Sequence, residues 1–462
     1  MKIKLPNTFV LLFGILMLIA AASWLIPGGK YDTHMVDGKE LIDPASFTYV
    51  AQHPQGLVAL MTAPIRGFAE AGLIIGFVFM VGGVFSVLHK TAAIDAMIQS
   101  VVRAHYQSAV IRTVAIPFFV GLFSLGGATF GMAEEAIPFV LIFIPLALAL
   151  GYDSILGLAI PFVGSQVGFA TAFLNPFNVG VAQNIARLPL FSGIEFRFIV
   201  WFFTTLCSIL FLSWYAARIK KNPRLSPTYE ADQQRRQQMS DNAPAEAGEQ
   251  MTVRHKLILL VFILSLVVMV TGVIRFDWYI EQIAALFLVM GILVGIIGRL
   301  GSEQFIAAFL QGARDMVTTA LVLALARASV ILAKDAQIID TMLHTMAPLI
   351  QSSLPMFAAH KMFVIQSIIN FFIHSGTGQA ALTMPVMAPL ADLVGVSRQT
   401  AVLAFQLGEL TTPIIPTSGI TVGVLALSRI PWITWVRWMA PLQIIYFILA
   451  LILLALSCKI GW

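Results

Sequence analysis

Three acidic residues, Glu134, Glu135 and Glu409, stand inside otherwise apolar stretches of the chain. A carboxyl group held away from water is costly and is usually retained for a use: to bind a cation, to carry a proton, or to receive freed backbone amides. Polar side chains recur nearby where two apolar runs are interrupted. The first interruption reads Leu174-Asn175-Pro176-Phe177-Asn178-Val179-Gly180-Val181, and the second runs from Pro413 through Pro416-Thr417-Ser418-Gly419 to Val424. At a broken membrane helix the freed N–H and carbonyl groups must find a side chain, water or a ligand. Half-helix N-termini suit a substrate carboxylate, whereas unwound carbonyls and hydroxyls suit Na⁺ or a protonated group. Asn175, Asn178, Thr417 and Ser418 have the side chains for substrate contact and mark where a sodium ion would sit. Thr129, Ser375 and Thr377 are their counterparts at two glycine-rich interruptions. The plainer alternatives are helix packing by Ser, Thr and Gly, and pairing of the glutamates with an intramembrane cation such as Arg327.

The setting for these groups follows from composition. Of 462 residues, 58% are hydrophobic and 11% charged, with a mean hydropathy of +0.88. That describes an all-α polytopic membrane protein in a lipid bilayer. The net charge of +5 gathers in short stretches such as Arg218, Lys220, Lys221, Arg235, Arg236, Arg254 and Lys256, which marks topology rather than nucleic-acid binding. Cys207 and Cys458 lie in apolar segments and suggest neither a disulfide nor a metal site. Met1-Lys2-Ile3-Lys4 and the following apolar run resemble a signal peptide, but the run continues through Ile26 and favours a retained first helix with a cytoplasmic N-terminus.

Two halves position the polar groups. Pro145-Leu146-Ala147 with Gly151 recurs as Pro389-Leu390-Ala391 with Gly395, and Leu88-His89-Lys90 with Ile94-Asp95 recurs as Leu332-Ala333-Lys334 with Ile338-Ile339-Asp340. The expected plan places a first span and repeat 1 in 1–217, with a re-entrant hairpin at about 114–150 and a broken helix at about 155–185. A mobile cytoplasmic linker, 218–256, follows. The second half, 257–462, adds two spans and then repeat 2, with a hairpin at about 362–393 and a broken helix at about 398–428. The hairpin tips are expected at Gly126–Gly131 and Ser375–Gln379. Crossings total about nine spans, which puts Lys334 outside and Lys90 inside and makes the repeats inverted. Lys334, Lys361 and Arg398 then lie outside, against the positive-inside preference.

Three carboxylates against one obvious intramembrane arginine favour a small substrate bearing positive charge over a dianion, unless the glutamates are protonated or sodium-paired. Gly131-Met132-Ala133-Glu134-Glu135-Ala136-Ile137-Pro138, Asn175-Pro176-Phe177-Asn178 and Pro416-Thr417-Ser418-Gly419 together resemble the YfcC-like branch of the C4-dicarboxylate anaerobic carrier family, over nearly the whole chain. The resemblance implies the ion transporter superfamily, with inverted repeats, an elevator motion, a tendency to homodimers and location in the cell (inner) membrane. It implies a secondary active transporter with no cofactor beyond Na⁺ or H⁺ as coupling ion. It also brings two substrate classes: basic or zwitterionic amino acids of the arginine–ornithine kind, towards which the glutamates point, and C4-dicarboxylates as the alternative. The Ser-Asn-Thr tips common in that superfamily are replaced here by Gly126-Gly127-Ala128-Thr129 and Ser375-Gly376-Thr377, so its sodium and dicarboxylate pattern does not carry over directly. Gly291 and Gly295 permit helix association. A channel lacks its continuous polar path here. An intramembrane enzyme lacks its nucleophile or metal cluster, His374 beside Ser375 being the one tempting pair.

Overall fold

Apolar runs leave the backbone no hydrogen-bond partner in a bilayer but itself, and the chain answers with helices. The computed structural model describes residues 8–36, 39–43, 45–241, 251–276, 278–351 and 354–462. Among these, eight helices are long and apolar enough to cross a membrane, and the strands form only two small antiparallel pairs within 29–49. The protein is all-α and polytopic.

The first expected span is represented among the described residues by the 15-residue helix Thr8–Ala22. It packs through Leu12 and Leu16 on Val317–Asp335. Met1-Lys2-Ile3-Lys4 lies outside the described residues.

The first hairpin also differs from expectation. Its first arm, Ala109–Phe130, is 22 residues long and runs unbroken through Gly126 and Gly127. These glycines serve packing rather than a turn: a Cβ on Gly127 would lie 2.2 Å from the Ser165 carbonyl oxygen, and one on Gly168 would lie 1.9 Å from that of Ser124. Hairpin 1 and the helix Ser154–Ala170 therefore touch backbone to backbone. The turn comes later, at Gly131 with φ +79°, followed by a 3-10 turn at Glu134–Ala136 and the second arm Ile137–Ala149. In hairpin 2 the arms are Pro355–Phe372 and Gly376–Leu393, and the turn is Ile373-His374-Ser375.

Broken helix 1 comprises Ser154–Ala170, a wide turn at Pro176–Gly180 and Val181–Ile185. Broken helix 2 comprises Arg398–Gly408, a 3-10 turn at Glu409–Ile414 and Gly419–Ser428. Uncommon backbone geometry repeats at matching places. Ala92 and Gln337, each just before a short amphipathic helix, have φ of 58° and 54°; Gly151 and Gly395, each just before a broken helix, have φ of 81° and 70°. For non-glycine residues that conformation is rare, and here it recurs at corresponding places of the two halves.

The linker expected to be mobile is folded over much of its described length. Helix Ile194–Lys221 extends into it, and Tyr229–Asp241 forms a further helix; residues 242–250 lie outside the described set. Asp232 is buried and accepts from the Ser154 backbone N–H at 2.9 Å and the Thr228 hydroxyl at 2.7 Å. Ser226 and Tyr215 both donate to Asp153, at 2.7 and 2.5 Å. Arg236 donates to the Tyr152 carbonyl at 2.5 Å, and Arg235 donates to that of Ser428. Composition read this stretch as solvated because its polar groups find their partners on distant segments.

The helices sort into two packed groups. Thr8–Ala22, Leu57–Glu70, Gly72–Lys90, Val253–Phe276, Ile280–Ile297, Ser302–Asp315 and Val317–Asp335 form one. The hairpins and broken helices form the other, with Ile194–Lys221 and Trp432–Ile460. They meet where Gly419 and Gly423 receive Leu323, whose Cδ2 would lie 3.3 and 3.5 Å from a Cβ on each.

Candidate functional site

Between the two groups lies a cavity of about 490 Å³. One wall is made of both hairpin turns and both helix breaks. It presents Glu134 and Glu135 from hairpin 1, His374, Ser375 and Thr377 from hairpin 2, and Glu409, Thr417 and Ser418 from broken helix 2. The facing wall presents Glu70, Leu323 and Arg327, with Trp278 and Tyr279 beside them.

Glu409 is held with unusual care for a carboxylate that is only 3% exposed. Its Oε2 accepts from the amide of Asn178, which also donates to the Phe169 carbonyl at 3.2 Å. Its Oε1 is buried with no donor. A buried acceptor left unmatched is expensive, so a polar ligand or a proton is the natural complement. Gly376 explains how hairpin 2 closes over it, since a Cβ there would lie 3.1 Å from Oε1. Glu135 accepts from the Ala133 backbone N–H at 2.9 Å and is buried, whereas Glu134 is half-buried.

Thr377 donates to the Phe177 carbonyl at 3.0 Å, which fastens the second hairpin to the first break. Thr417 donates to the Phe371 carbonyl. Ser375 and Ser418 cap the helices that follow them, accepting from Gly378 and Thr421 backbone N–H groups at 3.4 and 3.5 Å.

The remaining residues expected to touch substrate lie elsewhere. Asn175 is fully buried behind the wall; its Oδ1 accepts from Phe177 N at 2.8 Å and its Nδ2 donates to the Gly127 carbonyl at 3.3 Å. Asn178 supports Glu409 without lining the cavity. Thr129 bonds back to the Leu125 carbonyl at 2.7 Å within its own helix, two residues before the hairpin turn at Gly131. Of the four residues expected to mark a sodium site, Thr417 and Ser418 line the cavity while Asn175 and Asn178 lie behind its wall. Two indoles also take freed carbonyls of the second break, Trp432 from Ile414 at 3.0 Å and Trp435 from Pro413 at 2.7 Å.

Sequence reading missed Glu70, whose Oε1 lies 2.5 Å from Arg327 Nη2. It ends an amphipathic helix at a seam where one helix gives way to another, a position that composition reads as interfacial. Arg197 was missed too. It is buried, donates to Gln406 and, at 2.8 Å, to Gln399, and sits 5.0 Å from the Trp462 ring centre. Gln406 in turn donates to the Ala172 carbonyl at 2.9 Å, so this arginine joins the two broken helices.

A family model, DcuC, C4-dicarboxylate anaerobic carrier, matches residues 5–459. The chain is 37% identical to YfcC of Escherichia coli (strain K12), a protein whose name proposes basic amino acid antiport, over 96% of this chain and 95% of that one. It is 29% identical to an uncharacterized protein of Haemophilus influenzae (strain ATCC 51907 / DSM 11121 / KW20 / Rd), over 95% and 94% respectively. The solved structure of the YdaH transporter of Alcanivorax borkumensis aligns over 99% of both chains at 18% identity, with a TM-score of 0.43.

Proposed function

The chain belongs to the C4-dicarboxylate anaerobic carrier family, and from that premise we propose that this transporter exchanges basic amino acids of the arginine–ornithine kind across the membrane. The carrying observation is the charge of the cavity wall: Glu134, Glu135 and Glu409 face inward, and no Lys or Arg on that wall answers them. A guanidinium or ammonium satisfies those carboxylates, and Glu409 Oε1 supplies a buried acceptor that no donor among the described residues meets. The substrate's own carboxylate then falls to the helix starts at Ser375 and Ser418, which line the cavity and carry the partial positive charge of a helix N-terminus.

In this reading the group containing hairpins and breaks moves as a body against the other, an elevator whose sliding face is Leu323 along Gly419 and Gly423. The repeats are inverted, the N-terminus is cytoplasmic in the inner membrane, and two copies pair. Protons on the glutamates are the favoured coupling ion if exchange is not strict, since Asn175 and Asn178 lie behind the cavity wall that the glutamates line. A C4-dicarboxylate substrate draws support from the family description alone and requires protonated glutamates.

Counterflow into liposomes preloaded with arginine, ornithine or fumarate tests this. Labelled arginine should accumulate, and Glu409→Gln, Glu134→Gln or Glu135→Gln should reduce it. Succinate accumulation without arginine transport would overturn the assignment.

A further inference from the structure

We propose that Gln166 and Glu409 together receive the α-carboxylate and α-ammonium of the substrate, so that the carrier takes α-amino acids and rejects amines that lack the carboxylate. The inference rests on the cavity being a basic amino acid site, and it names the part of the substrate that each broken helix reads.

Gln166 lies in the first half of broken helix 1, Ser154–Ala170, and lines the cavity. Gly157, Gly164 and Gly168 share one face of that helix and press on hairpin 1, where a Cβ on each would lie within 2.9 Å of Phe143, Phe123 and Ser124 respectively. At 3.6 residues per turn, Gln166 falls on roughly the opposite face. The glycine seam therefore fixes which way Gln166 points. Its side chain is 5% exposed, and its Nε2 is buried with no acceptor among the described residues. Such a donor is as costly as a lost hydrogen bond and calls for a partner.

Glu409, on broken helix 2, has the opposite need: Oε1 is a buried acceptor that no donor among the described residues meets. A short hydrogen-bonded path joins the two residues. Gln166 precedes Phe169 by three residues, about 4.5 Å of helix rise. The Phe169 carbonyl accepts from the Asn178 amide at 3.2 Å, and the same amide donates to Glu409 Oε2. One wall thus presents an unmet donor from one repeat beside an unmet acceptor from the other.

That pair selects its ligand. A diamine would satisfy Glu409 and leave the Gln166 amide buried and unmet. A dicarboxylate would satisfy Gln166 and set a second negative charge against Glu409. The adjacent carboxylate and ammonium of an α-amino acid satisfy both. A carboxylate has four acceptor sites, enough for the helix starts at Ser375 and Ser418 as well as Gln166. The side-chain cation is then left to Glu134 and Glu135 on hairpin 1. Arg327, on the facing wall, has Glu70 as its partner.

The test is thermal stabilisation of the purified protein by arginine and by agmatine, which is arginine without its carboxylate. Wild type should be half-saturated by arginine at a concentration about tenfold or more below that for agmatine. Gln166→Met keeps the length of the side chain and removes the amide. It should bind arginine more weakly and agmatine as before, so that the ratio falls towards onefold. Its melting temperature without ligand should not drop, because the amide donor has no partner in the protein to lose. Gln166→Glu should reverse the preference, repelling the arginine carboxylate while retaining agmatine. Equal affinity of wild type for the two ligands overturns the proposal, as does an unchanged ratio in Gln166→Met. A destabilised Gln166→Met that loses both ligands alike also overturns it, by making Gln166 a packing residue. Tighter arginine binding in Gln166→Glu would put the cationic end at Gln166, contrary to the proposal. A ratio kept in Gln166→Met and lost in Arg327→Gln would give the carboxylate to Arg327 instead. If wild type is stabilised by neither ligand and accumulates no arginine in counterflow, the substrate reading fails first, and that outcome is distinct from all of these.

Discussion

Glycine positions separate packing from chemistry most sharply among single residues. Gly127 and Gly168 let two backbones meet, and no side-chain rearrangement can make room for a methyl group at 2.2 or 1.9 Å from a carbonyl oxygen. Gly127→Ala or Gly168→Ala should lower the thermal stability of the purified protein by the equivalent of about 1–3 kcal/mol or more. Gly121, in the same helix, has nothing within 4 Å of a built Cβ, so Gly121→Ala should be neutral by the same melting assay. Gly376 lies between these cases. Gly376→Ala brings a methyl to 3.1 Å from Glu409 Oε1, and the expected result is a folded protein with weakened arginine counterflow. Asn178→Ala should act on the same carboxylate from behind. Oε2 of Glu409 loses its donor, and transport falls with a loss of affinity on the order of 1–3 kcal/mol.

Among elements, the segment from Pro223 to Asp241 has the least foreseen role. Its bonds reach the start of broken helix 1 at Asp153 and Ser154 and the end of broken helix 2 at Ser428, so it staples the repeats together at one face. Asp232→Ala strands the buried Ser154 N–H and removes the partner of Arg235, at a cost of about 1–3 kcal/mol. Trypsin should then cut after Arg235 and Arg236 faster than in wild type. Asp153 adds a pH signature. Burial pushes its carboxyl up, and hydrogen bonds from Tyr215, Leu156 N and Ser226 only partly oppose this. A folded pKa above the unfolded value of about 3.9 means that this group's stabilisation is present below that pH and is lost as pH rises through the folded value. Asp153→Asn cannot titrate. Its melting temperature should therefore decline less than that of wild type as pH rises from about 4.

For the whole molecule, the question is whether the two helix groups slide. Leu323 is the ridge and Gly419 with Gly423 the groove. Cysteines at 323 and 423, introduced after replacing Cys207 and Cys458 with serine, should be bridged by Hg²⁺. Transport should stop on bridging and return with added thiol. Unaltered counterflow in fully bridged protein would rule out the proposed motion. Under the proposed motion the two halves of the cavity would part, the glutamate wall travelling while Arg327 and Glu70 stay.

Membrane class and the helix breaks were legible in the chain, because hydropathy and helix-breaking residues act locally and leave their mark in local order. The three inward glutamates were legible for the same reason: a charge in an apolar run is conspicuous wherever it ends up. Placement was not. Thr129 and Gly126-Gly127 read as a tip because glycine breaks helices in isolation, yet here Gly127 is spent on contact with another backbone, a fact about a distant segment. Asn175 and Asn178 read as substrate contacts because polar groups at a break need partners; only the packed structure shows that protein supplies them. Glu70 and Arg327 are far apart in sequence, and the meeting of two helices makes them a pair. Local physics writes the elements and their exceptional residues into the sequence, whereas which partner each polar group finds depends on long-range contacts that only the tertiary fold creates.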